Sequence, residues 1–484
     1  MIRTTLLISL LFFVFDVNAI SIYNQNVTDK ITQKRYKVVE IIIKGNKITK
    51  EVIILRELAI HNGQSIELEE LDQLILESRN NLTNINLFNF ITIEYELIDT
   101  EITIKIEVIE RWYVWPYPIF EVSERNFNIW WEDFKSSDYK DFSRLNYGVF
   151  INIENFRGLN ELLMIKLRRG FKEHYLFRYE NLYINKKKTL GLNSQIELFR
   201  RKKTYYNTLN NELQYFPNFP VSNNNTYTSK DLVLNFELIY RNNLKTKHKL
   251  NLNYFKSIID PEISSLNPDY LSNNLNIGSF YKIGYQLIHE NRDNNNYPLK
   301  GYYINLEIAR NISGKSPINH YEINSHLEKH IQVFPRWFAG SSFRSRIASS
   351  GQQAYFSHQT FGFEDYVRGY EYYVIDGEDY YLSKTAIKYC IIRKKNLDIP
   401  YIKKKQFNKA HFAVYTSVFS DIGYANNQTN FTENSLTNSI LWGKGISIEY
   451  ITYYNKMLRI EYSINKLGEK GLFLHFSSPF GVNK

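Results

Sequence analysis

Cysteine is almost missing from this chain: Cys390 is the only one in 484 residues. A single thiol excludes an internal disulfide and a multi-thiolate metal site. Long apolar runs are missing too. Beyond the first twenty residues no stretch could form a transmembrane helix, which needs about 20 consecutive apolar residues. There is no G-x-S-x-G elbow, no phosphate loop and no H-E-x-x-H pair. Gly340-Ser341-Ser342 has the wrong spacing for the first of these, so enzymatic activity, a cofactor and a metal centre all lack support. The formal charge of +10 would suit a nucleic-acid partner. However, the basic residues are scattered among Asn, Ile and Tyr, which argues against one.

Aromatics are abundant, with 38 Tyr and 32 Phe. A transmembrane β-barrel hides its membrane signal by alternation, and its aromatic girdles raise these two residue types. Met1 to Ala19 reads as a secretory signal. Arg3 supplies its positive start, Leu6 to Phe15 an apolar centre too short to span, and Val17-Asn18-Ala19 the cleavage site. Residues 20–34 form a polar lead.

From Arg35 the pattern sharpens. Tyr36 to Lys44 is a β-branched run ending at the turn signal Gly45-Asn46. Thr49 is placed to cap a short helix through Leu58, and Ser65 another from about Leu68 to Leu82, with Leu68, Leu71, Leu74 and Ile75 on one face. Phe90 to Ile98 and Glu101 to Glu110 are strands joined at Asp99-Thr100. In the second, Ile102, Ile104, Ile106 and Val108 share a face. Strand, helix, helix, strand, strand makes a small α+β layer. Residues 35–112 resemble a POTRA domain through Ile43-Lys44-Gly45-Asn46, Arg56-Glu57-Leu58, and Asn80-Asn81-Leu82 leading to Leu87-Phe88. An open sheet edge in such a module can take a partner strand.

Residues 113–141 are dense in aromatics and read as a hinge into the second domain, because Pro116 and Pro118 end any strand. Aromatics there suit a membrane interface. Within 142–484 one theme repeats. Leu250, Leu252 and Tyr254 alternate with Asn251 and Asn253, Ile304, Leu306 and Ile308 with Asn305 and Glu307, and Leu458, Ile460, Tyr462 and Ile464 with Arg459, Glu461 and Ser463. Sixteen such segments can be marked between Asn146 and Phe476. An even number fits a closed barrel with apolar residues toward lipid and polar residues toward the lumen. His326, Glu328 and His330 share the polar parity with Glu322 and Asn324. On a strand the two histidines lie roughly 13 Å apart and cannot share one ion.

Phe361 to Lys388 packs acid, base, glycine and aromatics around Val367-Arg368-Gly369-Tyr370, in a loop too aromatic for disorder. An arginine folded into a barrel needs a partner, since an unpaired buried charge is costly. Gly369 allows a sharp turn, and Tyr366 and Tyr370 are placed to cover the guanidinium. Arg292-Asp293-Asn294 with Tyr297-Pro298-Leu299-Lys300-Gly301 is a turn between alternating strands. These two stretches, with Phe419-Ser420-Asp421-Ile422-Gly423, resemble the R-D-N…P-x-K-G, V-R-G-F/Y and F-x-D-x-G motifs of the BamA/TamA-like superfamily of outer-membrane assembly and translocation proteins. The resemblance implies that Arg368 enters the lumen and pairs with Asp421, with Phe419 and Gly423 completing the motif. Glu469 to Phe476 resembles the terminal strand by which such barrels are recognised, with Gly471, Leu474 and Phe476 as its signal residues. The chain runs past it to Lys484, where the family usually stops at an aromatic.

The expected architecture is therefore an α+β POTRA domain followed by an all-β 16-stranded antiparallel transmembrane β-barrel. The resemblance implies a bacterial outer-membrane protein with its POTRA domain in the periplasm. It implies insertion or translocation of unfolded outer-membrane or secreted proteins, with accessory lipoproteins and chaperones as further partners. First and last barrel strands are expected near Tyr147 to Ile153 and Leu472 to Phe476. A passive pore or uptake channel is the alternative use of the same barrel.

Overall fold

The computed structural model describes residues 34–122, 135–136, 138–139 and 145–477, with breaks at 218–226, 316–317, 350–352, 364, 405, 428–433 and 453–455. The expected signal, the polar lead up to residue 33 and the extension after Ser477 lie outside the described residues.

The N-terminal layer follows from its alternation. Strands β1 (Arg35–Lys44), β2 (Ser65–Glu67), β3 (Phe88–Ile98) and β4 (Glu101–Glu110) form a sheet in the order β2-β1-β4-β3. In that sheet β1 and β4 are parallel. Helices α1 (Glu51–Arg56) and α2 (Leu68–Asn84) cover it. Val38, Ile102, Ile104, Ile106 and Val108 meet Ile53, Ile54, Leu71, Ile75 and Leu82 in one core. Two expectations fail locally. Leu68 is exposed rather than part of the α2 stripe, and neither Thr49 nor Ser65 caps a helix, Ser65 instead opening β2. The Thr49 hydroxyl donates to buried Glu110 at 2.7 Å, and that carboxylate also accepts the backbone N–H groups of Lys47, Ile48 and Thr49.

The second domain is one sixteen-stranded sheet. Its strands are β5 (Val114–Val122), β6 (Leu145–Phe156), β7 (Glu161–Gly170), β8 (Lys172–Tyr183) and β9 (Leu190–Arg201). A hairpin of β10 (Thr204–Leu209) and β11 (Glu212–Phe216) leaves the wall after β9. The wall resumes with β12 (Ser229–Tyr240), β13 (Thr246–Ile259), β14 (Ile277–Glu290), β15 (Gly301–Ser313), β16 (Asn319–Phe334) and β17 (Trp337–Ala348). A short helix, α3 (Pro261–Leu266), follows β13. The long loop holds β18 (Gln359–Phe361) and β19 (Ile375–Asp376). The wall ends with β20 (Asp379–Asp398), β21 (Lys409–Asn426), β22 (Ile440–Thr452), β23 (Lys456–Asn465) and β24 (Lys470–Ser477).

The first of the sixteen is therefore Val114–Val122, within the tract expected to be a hinge. Pro116 and Pro118 do not end it, because among the described residues β5 is the edge of the sheet and has a neighbour, β6, on one side only. Along β21 the alternation is clear. Tyr415, Ser417, Phe419 and Asp421 are buried inward, while Val418 and Ile422 are exposed outward.

The POTRA layer sits on one rim of the barrel. Lys50 N–H donates to the Gly158 carbonyl at 2.9 Å, and the Asn155 amide to Thr49 Oγ1 at 2.9 Å. Asn84 and Asn86 hydrogen-bond the β14–β15 turn at Arg292, Asn295 and Asn296. The strongest clamp is Arg241, whose two Nη atoms each lie 2.7 Å from the Glu57 carboxylate. Burial alone would raise that carboxyl, but Arg241, joined by Arg56, holds it below the usual carboxylate range.

A depressed carboxyl contributes stability that is present above its unfolded value and lost as pH falls through the folded one. The wild-type clamp should hold at neutral pH and release only in acid below the ordinary carboxylate range. Arg241→Ala should release it at neutral pH. The variant removes two charge-assisted hydrogen bonds, each worth about 1.5–3 kcal/mol. Faster hydrogen exchange in α1, with the barrel ladders still protected, is the expected result, and unchanged exchange would rule the clamp out.

Candidate functional site

The loop between β17 and β20 enters the lumen. Val367, Arg368 and Tyr370 are all buried. Arg368 Nε and Nη2 approach the two Asp421 oxygens at 2.8 and 2.5 Å, and its backbone N–H approaches Oδ2 at 3.3 Å. Asp421 has no exposed surface. The guanidinium lies over the ring of Phe419, 3.7 Å from its centroid. Phe419, two residues before the aspartate, thus covers the arginine in place of the two tyrosines expected to. Tyr370 instead joins the core formed by Val367, Phe361, Ile375 and Leu441. Tyr366 stacks on His475 at 5.2 Å and 9°.

Glycines make the room. Gly369 has φ +91°, in the left-handed region that favours glycine. A Cβ on Gly423 would lie 2.4 Å from Val367 Cγ2, and one on Gly443 would lie 1.7 Å from the Arg368 carbonyl oxygen. Gly443 and Gly445, in Trp442-Gly443-Lys444-Gly445, were not singled out from sequence. Glycine inside an alternating strand marks a close backbone approach, and that signal was available.

The loop is also tied to the last two strands. The Asn465 amide donates to the Gly369 carbonyl at 2.9 Å, and Glu371 accepts the Gly369 N–H at 2.8 Å. His475 of β24 lies 2.8 Å from Glu461 and 3.8 Å from Glu371. Ligand atoms of Glu371, Glu461 and His475 all fall within 4.8 Å of one another. Arg459, 2.9 Å from Glu461, already supplies positive charge there. Sequence reasoning missed this cluster because its members come from a loop and two separate strands.

A second inward feature is the β14–β15 turn. Asp293 Oδ1 accepts the N–H groups of Leu299 and Lys300 and stiffens it. Tyr297 crosses to hydrogen-bond Glu449 of β22, with Lys388 3.9 Å from its ring centroid. Arg292 pairs with Glu290 and Glu328. Glu328 also lies within 3.1 Å of both His326 and His330, one at each oxygen, so the two histidines share a carboxylate.

The wall has one unlaced seam. Among the described residues the sheet runs from β5 to β24, and these two strands do not pair. Of the proposed terminal signal, Leu474 and Phe476 face outward, 68% and 64% exposed. Gly471 sits close to the Phe473 ring, which a Cβ would meet at 2.4 Å.

Removing one partner of a buried ion pair typically costs about 3–5 kcal/mol. Arg368→Ala and Asp421→Ala should each destabilise the folded barrel on that scale, and the double variant by less than their sum. Strictly additive losses in denaturant unfolding would reject the coupling. Gly443→Ala should dislodge the loop while leaving both charges in place, seen as new protease sensitivity near Arg368.

The POTRA family, described as surface antigen variable number repeat, matches residues 36–111. No curated protein matches the sequence. Among solved structures, BamA from Haemophilus ducreyi lacking POTRA domains 1-3 is 14% identical, with a TM-score of 0.50 over 91% of this chain and 84% of that one. CdiB from Escherichia coli is 11% identical, with a TM-score of 0.49 over 92% and 75%. CdiB from Acinetobacter baumannii is also 11% identical, at 0.46 over 92% and 73%. A POTRA module followed by a sixteen-stranded antiparallel barrel gives this chain the BamA-like fold.

Proposed function

We propose that this chain is an outer-membrane barrel that inserts or translocates other proteins, with its POTRA domain in the periplasm. The observation that carries the reading is a barrel obstructed through its lumen and unlaced along its wall. The Arg368 loop and the Tyr297 turn both occupy the interior, and the POTRA layer clamps one rim. A passive uptake channel needs the opposite arrangement.

In this reading the POTRA domain gathers an extended segment of an unfolded outer-membrane or secreted protein on its outer strand. Strand β3 has β4 on one side and no described strand on the other. Its far end carries Leu97 and Ile98 exposed. Backbone pairing along such an edge gives affinity with little sequence preference. The gathered segment then reaches the seam between β5 and β24. The loop around Arg368 acts as a lock, fixing β21, β22 and the last two strands relative to one another. Accessory lipoproteins and chaperones rest on the family resemblance alone.

Depleting the protein in its host and quantifying the other outer-membrane proteins tests the assignment. Their levels should fall while their transcripts do not, and unchanged levels would sink it. In planar bilayers the purified barrel should show only brief, small openings. A large steady conductance would favour the uptake channel.

A further inference from the structure

Two carboxylates and one imidazole meet where the lumen loop touches the last two strands. Glu371 comes from the loop, Glu461 from β23 and His475 from β24, and each offers one ligand atom within 4.8 Å of the others. His475 Nε2 stands 2.8 Å from Glu461 Oε1 and 3.8 Å from Glu371 Oε1. Around a tetrahedral ion with bonds of about 2.1 Å, neighbouring ligand atoms stand about 3.4 Å apart. The two spacings straddle that value, so small side-chain movements bring all three groups onto one ion.

Hydrogen bonding leaves the cluster unsatisfied. The Glu461 side chain has no exposed surface, yet its Oε2 has no hydrogen-bond partner among the described residues. Arg459 Nε lies 2.9 Å from Glu461, but it is not aligned for a bond and is likewise without one. Buried Glu371 Oε1 has no donor either, while the other oxygen accepts the Gly369 N–H. On the far side of the imidazole, Tyr366 Oη accepts Arg459 Nη2–H at 2.9 Å and lies 3.3 Å from His475 Nδ1. The tyrosine proton then goes to Nδ1, and Nε2–H donates to Glu461. One proton on Nε2 thus serves one carboxylate and leaves Glu371 unmatched, which is costly for a buried acceptor. Nearby cations do not make up the difference. Arg368 is committed to both oxygens of Asp421. Lys384 lies over the Tyr366 ring, with Asp421 and Asp365 as its carboxylate neighbours. Arg459 answers only one of the two glutamates.

We propose that Glu371, Glu461 and His475 bind one divalent transition-metal ion of the zinc type. An imidazole nitrogen with carboxylate oxygens suits zinc, whereas calcium and magnesium prefer oxygen alone. The ion takes the place of the Nε2 proton, and that proton moves to Nδ1, where Tyr366 Oη accepts it. Such a second hydrogen bond fixes the orientation of a ligating imidazole. The ion's charge answers both carboxylates at once. His475 and Glu371 keep 23% and 13% of their side-chain surface exposed, which gives an ion a way in and leaves a fourth position for water. Bound there, the ion joins the loop to β23 and β24 at one point. The site does not depend on what the barrel carries, so it stands or falls apart from the proposed function.

The test uses the full chain in detergent micelles, stripped with a chelator and titrated calorimetrically with zinc chloride. One zinc per chain is expected, with calcium and magnesium chloride giving no comparable binding. Glu371→Gln and His475→Gln should each weaken zinc binding by at least about tenfold, the least that disturbing even the support of a ligand costs. His326→Gln with His330→Gln, elsewhere in the lumen, should leave it unchanged. A second readout needs no substitution: zinc should slow amide hydrogen exchange along β24 several-fold in the wild-type chain. Absence of zinc binding, binding that survives both ligand substitutions, or loss only in the His326 and His330 variant overturns the site. Calcium binding as tight as zinc overturns the choice of ion, and unchanged exchange with zinc bound overturns the joining of β24 to the loop.

Discussion

Hydrocarbon offers no hydrogen bonds, so a spanning backbone must satisfy its own N–H and C=O groups. Among the described residues, fifteen junctions of this sixteen-stranded wall meet that demand by pairing neighbours, and the β5–β24 junction does not. The other unusual features gather on that exception. The lumen loop reaches β21 through Asp421, β23 through Asn465 and β24 through His475. The weakest line of the wall is thereby supported from inside by side chains rather than by a ladder.

The interior chemistry follows from the same enclosure. A charge in a narrow lumen must be matched, because an isolated buried ion is expensive. Arg368 has Asp421, Arg292 has Glu290 and Glu328, Lys282 has Glu307 and Glu322, and Arg459 has Glu461. The Arg459–Glu461 pair runs along β23, while the others bridge strands or join an inserted segment to the wall. They fill the barrel with directional contacts where a soluble protein would place apolar side chains.

Much of this was legible in the sequence because it is local. Period-two alternation reports strands whether the neighbour is lipid or lumen, so β13, β15 and β23 were readable, whereas the first half of β20, Asp379 to Lys388, reads as part of the aromatic loop and is strand. The Arg368–Asp421 pairing was readable only through motifs, since nothing in the spacing of residues 368 and 421 encodes contact. Strand β5 was missed for a physical reason: proline forbids a central strand and permits an edge, and edge position is a property of the whole sheet, not of the local sequence. Leu68 looked like a core residue because its helical spacing was right, but it is the first residue of α2 and stays exposed. Crossings of the lumen, such as Tyr297 to Glu449, left no local trace. The paired glycines at 443 and 445 did leave one, because a strand that gives up side chains at alternate positions is making room for backbone.

The loop is held at its flanks by earlier residues, Arg344 on Asp365 and Asn211 on Val374, but the wall partners of Arg368 and its immediate neighbours lie later in the chain: Asp421, Gly443, Asn465 and His475. Read from the N-terminus, the chain therefore reaches Arg368 with the flanks of its loop already provided for and the partners of the arginine itself still to come. The last four strands must then arrive around a segment already inside their enclosure, with the Arg368 carbonyl filling the space that Gly443 leaves. The loop is thus a mandrel on which the final quarter of the cylinder is wound, and the barrel reaches its finished circumference only when that winding is complete.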